Sequence, residues 1–307
     1  VVSGEESFST NQGELALYES PRQMVASAEL LAAFLPARIT AQISEQGNEP
    51  YTVQTMQKIL PDGSRLEYVT FNRPISLVTL KRPEGIYIIK DDRANFVATP
   101  NHSLPDPILA KLPEGHDAVE YQAIALNAVK NHILPVYPEV QEELSIVPQS
   151  IQSGELDTVP CYIVTSVLDL KSTNDNPDPV RKFVRYFRKS DLLLLRSQWI
   201  TAGGILQSDT LFTYELEPAD EDFALSPETL VVEYADYSKA FAAILAKYAT
   251  PSENPEKIAG NTGFSAKIKR LFSSSDFFPW TAATVGILIV CCGALLHFGM
   301  TRAKKHS

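Results

Sequence analysis

A run of 24 residues without a full charge, Phe277 to Met300, lies near the end of the chain. An α-helix rises about 1.5 Å per residue, so this run is long enough to cross a bilayer core of about 30 Å. Pro279 fits the first turn of such a helix, and Trp280 suits the headgroup boundary. The run predicts one transmembrane helix, which makes the residues before it a domain tethered to a membrane.

The predicted span divides the chain into five segments. We expect a flexible arm at 1–19, one ectodomain at 20–249, a linker and juxtamembrane segment at 250–276, the transmembrane helix at 277–300 and a basic tail at 301–307. The chain begins at Val1 without a charged and apolar leader, and we expect that a signal peptide has been removed. Three basic residues flank the span on each side, so charge alone does not set its orientation.

Charge and motif spacing exclude several functional classes. From Lys267 onward there are six basic residues and one acidic residue, which leaves residues 1–266 with a net charge of −15. Such a domain repels phosphate backbones, so we expect no nucleic-acid partner. The histidines and cysteines lack zinc-binding spacing, and no nucleophile can be paired with a base. We therefore expect no metal, no cofactor and no enzymatic activity.

Helical and strand patterns alternate along the ectodomain. Apolar residues recur at helical spacing in 21–35 and 118–132, and shorter helical patterns occur at 138–144 and 237–248. Runs rich in β-branched and aromatic residues, separated by turn signals, predict strands. These runs are 38–44, 51–60, 65–71, 75–81, 85–90, 95–99, 150–157, 161–171, 180–189, 192–201 and 205–217. Short connections predict an antiparallel sheet, so the fold class is α+β with a C-terminal transmembrane helix.

Three passages resemble the lipoprotein-localisation superfamily of bacterial periplasmic proteins. They are the helix at 21–35, NRPISLVTLKRPEGIYIIKDDRANFVATP at 72–100, and FVRYFRKSDLLLLRSQWITAGGILQSDTLFTYELEPADEDFALSP at 183–227. The resemblance extends to periplasmic proteins of unknown function. It implies an incomplete antiparallel barrel, that is, a curved sheet wrapped around helices with an apolar cavity. It also implies a periplasmic ectodomain at the bacterial inner membrane. The C-terminal anchor departs from the soluble carriers of this superfamily and argues against shuttling between membranes.

Aromatic residues spread through the strands are the candidates for lining that cavity. In an open barrel about half of them face inward, where they could surround an acyl chain. Ordinary core packing is the alternative and explains the same residues equally well. The cavity candidates are Tyr68, Phe71, Tyr87, Phe96, Trp199, Phe212 and Tyr214.

A basic cluster at 181–189 stands out in an acidic domain. Arg181, Lys182, Arg185 and Arg188 are candidates for a patch that docks a lipid headgroup or a protein partner. Strand alternation places Arg181 and Arg185 on one face and Lys182 and Arg188 on the other. The alternative is a solvated strand whose charges prevent edge pairing.

Small residues line one side of the predicted span. Ala282, Gly286 and Gly293 are separated by four and seven residues, which would allow another helix to approach closely.

The preferred hypothesis is a non-enzymatic, membrane-anchored periplasmic protein. Its half-barrel binds an apolar ligand, such as a lipid, or a lipidated or envelope protein. The bilayer itself is a partner through Phe277 to Met300. The alternative is an accessory or regulatory subunit of a membrane complex, in which the half-barrel is a docking domain.

Overall fold

The computed structural model describes residues 20–71, 76–98, 112, 116–137, 146, 148–167, 180–235, 239–240 and 243. Two α-helices are described over their whole length, α1 (Pro21–Phe34) and α2 (Ala118–Asn131), and residues 239–240 and 243 are also helical. The strands in the first half are β1 (Ala37–Glu45), β2 (Tyr51–Ile59), β3 (Arg65–Phe71), β4 (Leu77–Arg82), β5 (Gly85–Lys90) and β6 (Arg93–Ala98). Those in the second half are β7 (Ser150–Leu156), β8 (Val159–Val167), β9 (Val180–Arg188), β10 (Leu194–Thr201), β11 (Leu206–Leu216) and β12 (Leu230–Glu233).

Local sequence signals fix the ends of both helices. The Ser20 hydroxyl accepts a hydrogen bond from the Gln23 N–H at 3.0 Å, and Pro21 begins α1. The Asp117 carboxylate caps α2 by accepting from the Val119 N–H at 2.9 Å. His132 ends α2 in the left-handed conformation, with φ 52° and ψ 48°.

The chain forms two compact units, and the first comprises residues 1–54 and 113–218. Its sheet has the strand order β1-β11-β10-β9-β8-β7, and every neighbouring pair in it is antiparallel. Both α-helices belong to this unit, where the ring of Phe34 packs edge-on against Tyr121 at 5.5 Å between centroids. Buried and exposed residues alternate along β1 and β11, so one face of this sheet is covered.

The second unit comprises residues 55–112 and 219–307. Strands β3 to β6 form an antiparallel meander, and β12 adds to β6 in parallel. A short 3₁₀ helix (Asp220–Phe223) carries Phe223, which packs in a core cluster with Met56, Leu80 and Tyr87. The opposite face of the meander holds a smaller cluster of Leu77, Ile88 and Ala240.

The predicted α+β class and the antiparallel pairing of successive strands are confirmed. Several element boundaries differ from expectation by one to four residues, and two of the differences have a clear local reason. The helix predicted to reach His132 ends one residue earlier, because His132 has a positive φ. The strand predicted from Leu192 begins at Leu194, because Leu192 lies in the preceding turn with a φ of 61°. The parallel pairing of β12 with β6 was not predicted.

The helix predicted at 138–144 and most of the one at 237–248 lie outside the described residues. The same holds for Phe277 to Met300 and therefore for Ala282, Gly286 and Gly293. Among the residues that the structure describes, no helix is both long and apolar enough to cross a bilayer.

Candidate functional site

The covered face of the first unit contains an unusual mixture of aromatic and polar side chains. We call this surface the buried face and define it by the inward-pointing residues of four adjacent strands. These are Tyr162, Val164 and Ser166 of β8, Phe183, Arg185 and Phe187 of β9, Ser197 and Trp199 of β10, and Ser208, Thr210 and Phe212 of β11. Each of them is at least nine-tenths buried.

Strand register arranges part of the buried face as an aromatic row. Ser166 pairs with Phe183, Phe183 with Trp199, and Trp199 with Ser208. The rings of Phe183 and Trp199 stack, with centroids 4.3 Å apart and an interplanar angle of 23°. A stacked aromatic pair is therefore bordered on each side by a serine hydroxyl.

The neighbouring row carries a buried charge. Val164 pairs with Arg185, Arg185 with Ser197, and Ser197 with Thr210. Arg185 is 4% exposed, and its Nη1 donates to Oε1 of Glu29 on α1 at 3.1 Å. Burial lowers the pKa of the Arg185 guanidinium, whereas the negative charge of Glu29 acts in the opposite direction. The group stays protonated because an arginine pKa begins far above neutrality.

Several polar atoms on the buried face have no hydrogen-bond partner among the described residues. They are Nε and Nη2 of Arg185 and the hydroxyls of Ser166, Ser197 and Ser208. Buried polar groups are nearly always paired, and an unpaired one costs about 1–3 kcal/mol. A group of such atoms within two neighbouring rows suggests a space that takes up water or a ligand.

The opposite face of the same strands has the contrasting pattern. Arg196 donates two hydrogen bonds to Asp209 on the adjacent strand, at 2.8 and 2.6 Å. The Tyr186 hydroxyl donates to the Gln198 side chain at 3.2 Å. These four side chains are thus paired on the face that water can reach, whereas the buried face carries the unpartnered atoms.

The cavity candidates separate into two groups. Trp199 and Phe212 lie on the buried face of the first unit, and the half-buried Tyr214 donates its hydroxyl to the Leu194 carbonyl at 2.6 Å. Burial raises the pKa of the Tyr214 hydroxyl.

Tyr68, Tyr87 and Phe96 instead pack in the core cluster of the second unit with Phe223. The rings of Tyr87 and Phe96 are 4.6 Å apart. Phe71 ends β3, and its side chain lies outside the described residues.

The candidates for a docking patch do not form one surface. Arg185 is on the buried face, whereas Lys182 is exposed on the opposite side of β9. Arg188 is on the same side as Lys182, but it is paired with Asp191 through contacts of 2.9, 3.0 and 2.7 Å. The side chain of Arg181 lies outside the described residues.

Asp191 joins the end of α2 to the turn between β9 and β10. Its fully buried carboxylate accepts from Arg188 and from the Leu193 N–H, and it lies 3.2 Å from Nδ1 of His132. The histidine is 62% exposed, so the pair is an anchor at the rim of the unit.

The other reactive side chains favour no catalytic centre. Cys161 is fully buried, its thiol donates to the Val159 carbonyl at 3.3 Å, and burial raises the thiol pKa. A buried protonated thiol is a poor nucleophile. Within the described ranges, no group of three or more potential ligands could hold a metal ion.

Sequence reasoning missed most of the polar atoms of this site. Ser197 has the same strand parity as Trp199, so its direction could have been inferred from period-two alternation. The proximity of Ser166, Arg185 and Glu29 depends on register and on the position of α1, neither of which has a local sequence signal.

Comparisons with known proteins give structural similarity alone. No protein-family model matches the chain, and no curated protein sequence matches it either. The chain is similar to MucB of Pseudomonas aeruginosa, solved in complex with MucA, at 14% identity and a TM-score of 0.35. That match covers 69% of this chain and 64% of MucB, less than two thirds of its length.

Two other solved structures are similar over nearly their whole length. A conserved protein from Thermus thermophilus has 11% identity and a TM-score of 0.39, covering 70% of this chain and all of that one (100%). A LolA superfamily protein from Nitrosomonas europaea has 9% identity and a TM-score of 0.25, covering 66% of this chain and 97% of that one.

Proposed function

We propose that this chain is a membrane-anchored binding protein of the bacterial envelope, with a periplasmic ectodomain. Its buried face holds an apolar ligand or the lipid part of a lipidated protein, and it does not transform what it binds. The observation that carries this proposal is the set of unpartnered hydroxyls beside the stacked Phe183 and Trp199 rings. A sealed structural core would satisfy or omit such groups.

The composition of the buried face suits an amphipathic ligand. Phe183, Phe187 and Trp199 offer apolar contact, and removing the apolar area of the ligand from water favours binding by about 25 cal/mol per Å². The serine hydroxyls supply a few polar contacts, and a small number of placed polar groups in an apolar surface is typical of ligand sites.

The predicted transmembrane anchor supports a binding role at the membrane surface. A domain held by Phe277 to Met300 meets membrane ligands at high effective concentration but cannot carry them across an aqueous compartment. Retention or presentation of a ligand is therefore favoured over transport between membranes.

Binding of a neutral fluorescent probe tests the proposal. The delipidated full chain, held in an amphipathic polymer, is titrated with N-phenyl-1-naphthylamine, and the polymer alone serves as the blank. We expect a fluorescence increase that saturates at one probe per chain. Trp199→Ala should weaken binding at least about tenfold, since it removes a large aromatic contact.

A matched variant on the same sheet controls for general damage. Leu211 belongs to β11 but is 41% exposed on the opposite face, so Leu211→Ala should leave probe affinity unchanged. Non-saturable uptake equal to the blank would overturn the proposal.

The accessory-subunit alternative makes a different prediction. Purification in mild detergent would give a stable assembly of fixed stoichiometry with another membrane protein. Such an assembly, combined with probe binding that is indifferent to Trp199→Ala, would favour the subunit over the ligand-binding protein.

A further inference from the structure

The unpartnered nitrogens of Arg185 belong to one edge of its guanidinium. Nη1 is engaged by Glu29 at 3.1 Å, whereas Nε and Nη2 have no hydrogen-bond partner within the described ranges. Nε and Nη2 present two parallel N–H groups from a rigid planar fork. This edge matches the two oxygens of a carboxylate or phosphate, the groups that arginine binds in a bidentate manner.

The surroundings of that edge define the rest of the ligand. The guanidinium carbon lies 5.2 Å from the centroid of Phe183 and 5.4 Å from that of Phe187. Ser197, directly opposite Arg185 across the β9–β10 pair, adds another unpartnered hydroxyl. An acceptor group at this position would therefore be followed by an apolar body.

Charge distinguishes between the possible acceptor groups. Glu29 already contributes one negative charge beside Arg185, so the pair is formally neutral. A group with one negative charge meets less repulsion here than a phosphate monoester, which carries nearly two. The site therefore favours a carboxylate.

We infer that the Nε–Nη2 edge of Arg185 binds the carboxylate of a long-chain fatty acid. Ser197 supplies a further hydrogen bond, and the acyl chain contacts the aromatic row. The inference rests on the proposed function and adds the polar end of the ligand.

Isothermal titration with matched ligands tests the assignment. The delipidated full chain in an amphipathic polymer is titrated with palmitate and with methyl palmitate, which has the same chain but no charge. We expect palmitate to bind at one per chain and at least about tenfold more tightly than the ester, because only the acid offers a charged acceptor pair. Acetate should show no binding.

Two variants separate recognition from folding. Arg185→Lys keeps the charge but lacks the planar edge, so the tenfold preference for palmitate over the ester should disappear. Glu29→Gln removes the competing negative charge and should increase the preference for palmitate over the ester severalfold. The second variant keeps the inference testable if the first does not fold.

The outcomes distinguish the inference from the proposed function. Equal affinity for palmitate and its methyl ester, unaffected by Glu29→Gln, would overturn the carboxylate site and leave apolar binding intact. Tighter binding of dodecyl phosphate than of dodecanoate would also overturn it. A failure of both palmitate and the ester to bind would overturn the proposed function as well.

Discussion

Single residues of the buried face have a stability cost that a ligand would offset. The Ser197 hydroxyl is 1% exposed and lacks a partner among the described residues. Leaving a buried hydroxyl unpaired costs about 1–3 kcal/mol in the free protein. Residues selected for binding are often unfavourable for folding, and Ser197 has that character.

Ser197→Ala should stabilise the ligand-free protein by about 1 kcal/mol because it removes the unpaired hydroxyl. Urea unfolding of the delipidated chain measures the effect. The exposed Ser44 of β1 provides a control, since Ser44→Ala should change stability by less than about 0.5 kcal/mol. Destabilisation by Ser197→Ala would mean that the hydroxyl is satisfied within the folded protein.

Tyr214→Phe should give a pH-dependent loss of stability. Near neutral pH the variant loses the hydrogen bond to the Leu194 carbonyl, worth about 1 kcal/mol. Burial raises the pKa of Tyr214 in the folded state, so the unfolded chain releases this proton first as the pH rises past about 10. The wild type then loses stability that the variant does not lose. The difference between their free energies of unfolding should therefore narrow above that pH. A gap that stays constant from pH 8 to pH 11 in urea unfolding would contradict this account.

For single residues, the sequence predicts on which side of a strand a side chain lies but not which side is buried. Alternation along β9 correctly separates Arg185 from Lys182. The sequence does not indicate which of the two faces is covered, because this depends on Glu29 of α1, which is 156 residues away from Arg185. A basic cluster that suggested a surface patch therefore contains a buried arginine, Arg185.

A few specific contacts join neighbouring helices and strands. The end of α2 is joined to the β9–β10 turn through Asp191, and β5 meets β6 where Gly85 faces Phe96. Substitution of Asp191 or Gly85 should therefore lower stability.

Asp191→Ala should destabilise the protein by about 3–5 kcal/mol, because it leaves Arg188 without its buried carboxylate partner and removes the acceptor of the Leu193 N–H. Thermal unfolding measures the loss. His132→Ala should cost less than about 1 kcal/mol, since that side chain is 62% exposed. Similar losses in the two variants would show that the histidine contact dominates.

Gly85→Ala should destabilise by about 1–3 kcal/mol through overpacking. An added Cβ would lie 2.4 Å from the Phe96 ring and 2.4 Å from the Val97 carbonyl oxygen, and the backbone atom cannot move aside cheaply. Gly154→Ala in β7 is a matched control. Its Cβ would meet only Ile163 side-chain atoms, the nearest being the terminal Cδ1 at 2.5 Å, and that side chain can rotate away. Equal destabilisation of the two variants in urea would contradict this explanation.

Elements were predicted well where the signal is local. Apolar spacing located both helices, and the structure shows that Ser20 and Asp117 cap them. The break between β7 and β8 was predicted at 158–160, but the turn lies at Asp157 and Thr158, whose positive φ is usually marked by glycine or asparagine. The parallel addition of β12 to β6 was missed because it joins segments more than a hundred residues apart, Leu230 with Arg93.

The whole molecule combines an acidic sequence at 1–266 with one long apolar run at 277–300. The pairing of β1 with β11, Ala37 with Leu216, closes a long stretch of chain, and no local pattern encodes it. Sequence resemblance supplied the expected architecture, whereas the chemistry of the buried face became visible only from register and burial.

Energy transfer from Trp199 tests most directly whether the buried face holds a ligand. The chain has two tryptophans, so Trp280→Phe leaves Trp199 as the sole donor. Titration with N-phenyl-1-naphthylamine should quench Trp199 emission in a saturable way, with an end point at one probe per chain. Trp199→Phe in the Trp280→Phe background removes the donor and should abolish the transfer at the same occupancy. Probe binding that leaves Trp199 emission unchanged would contradict the account.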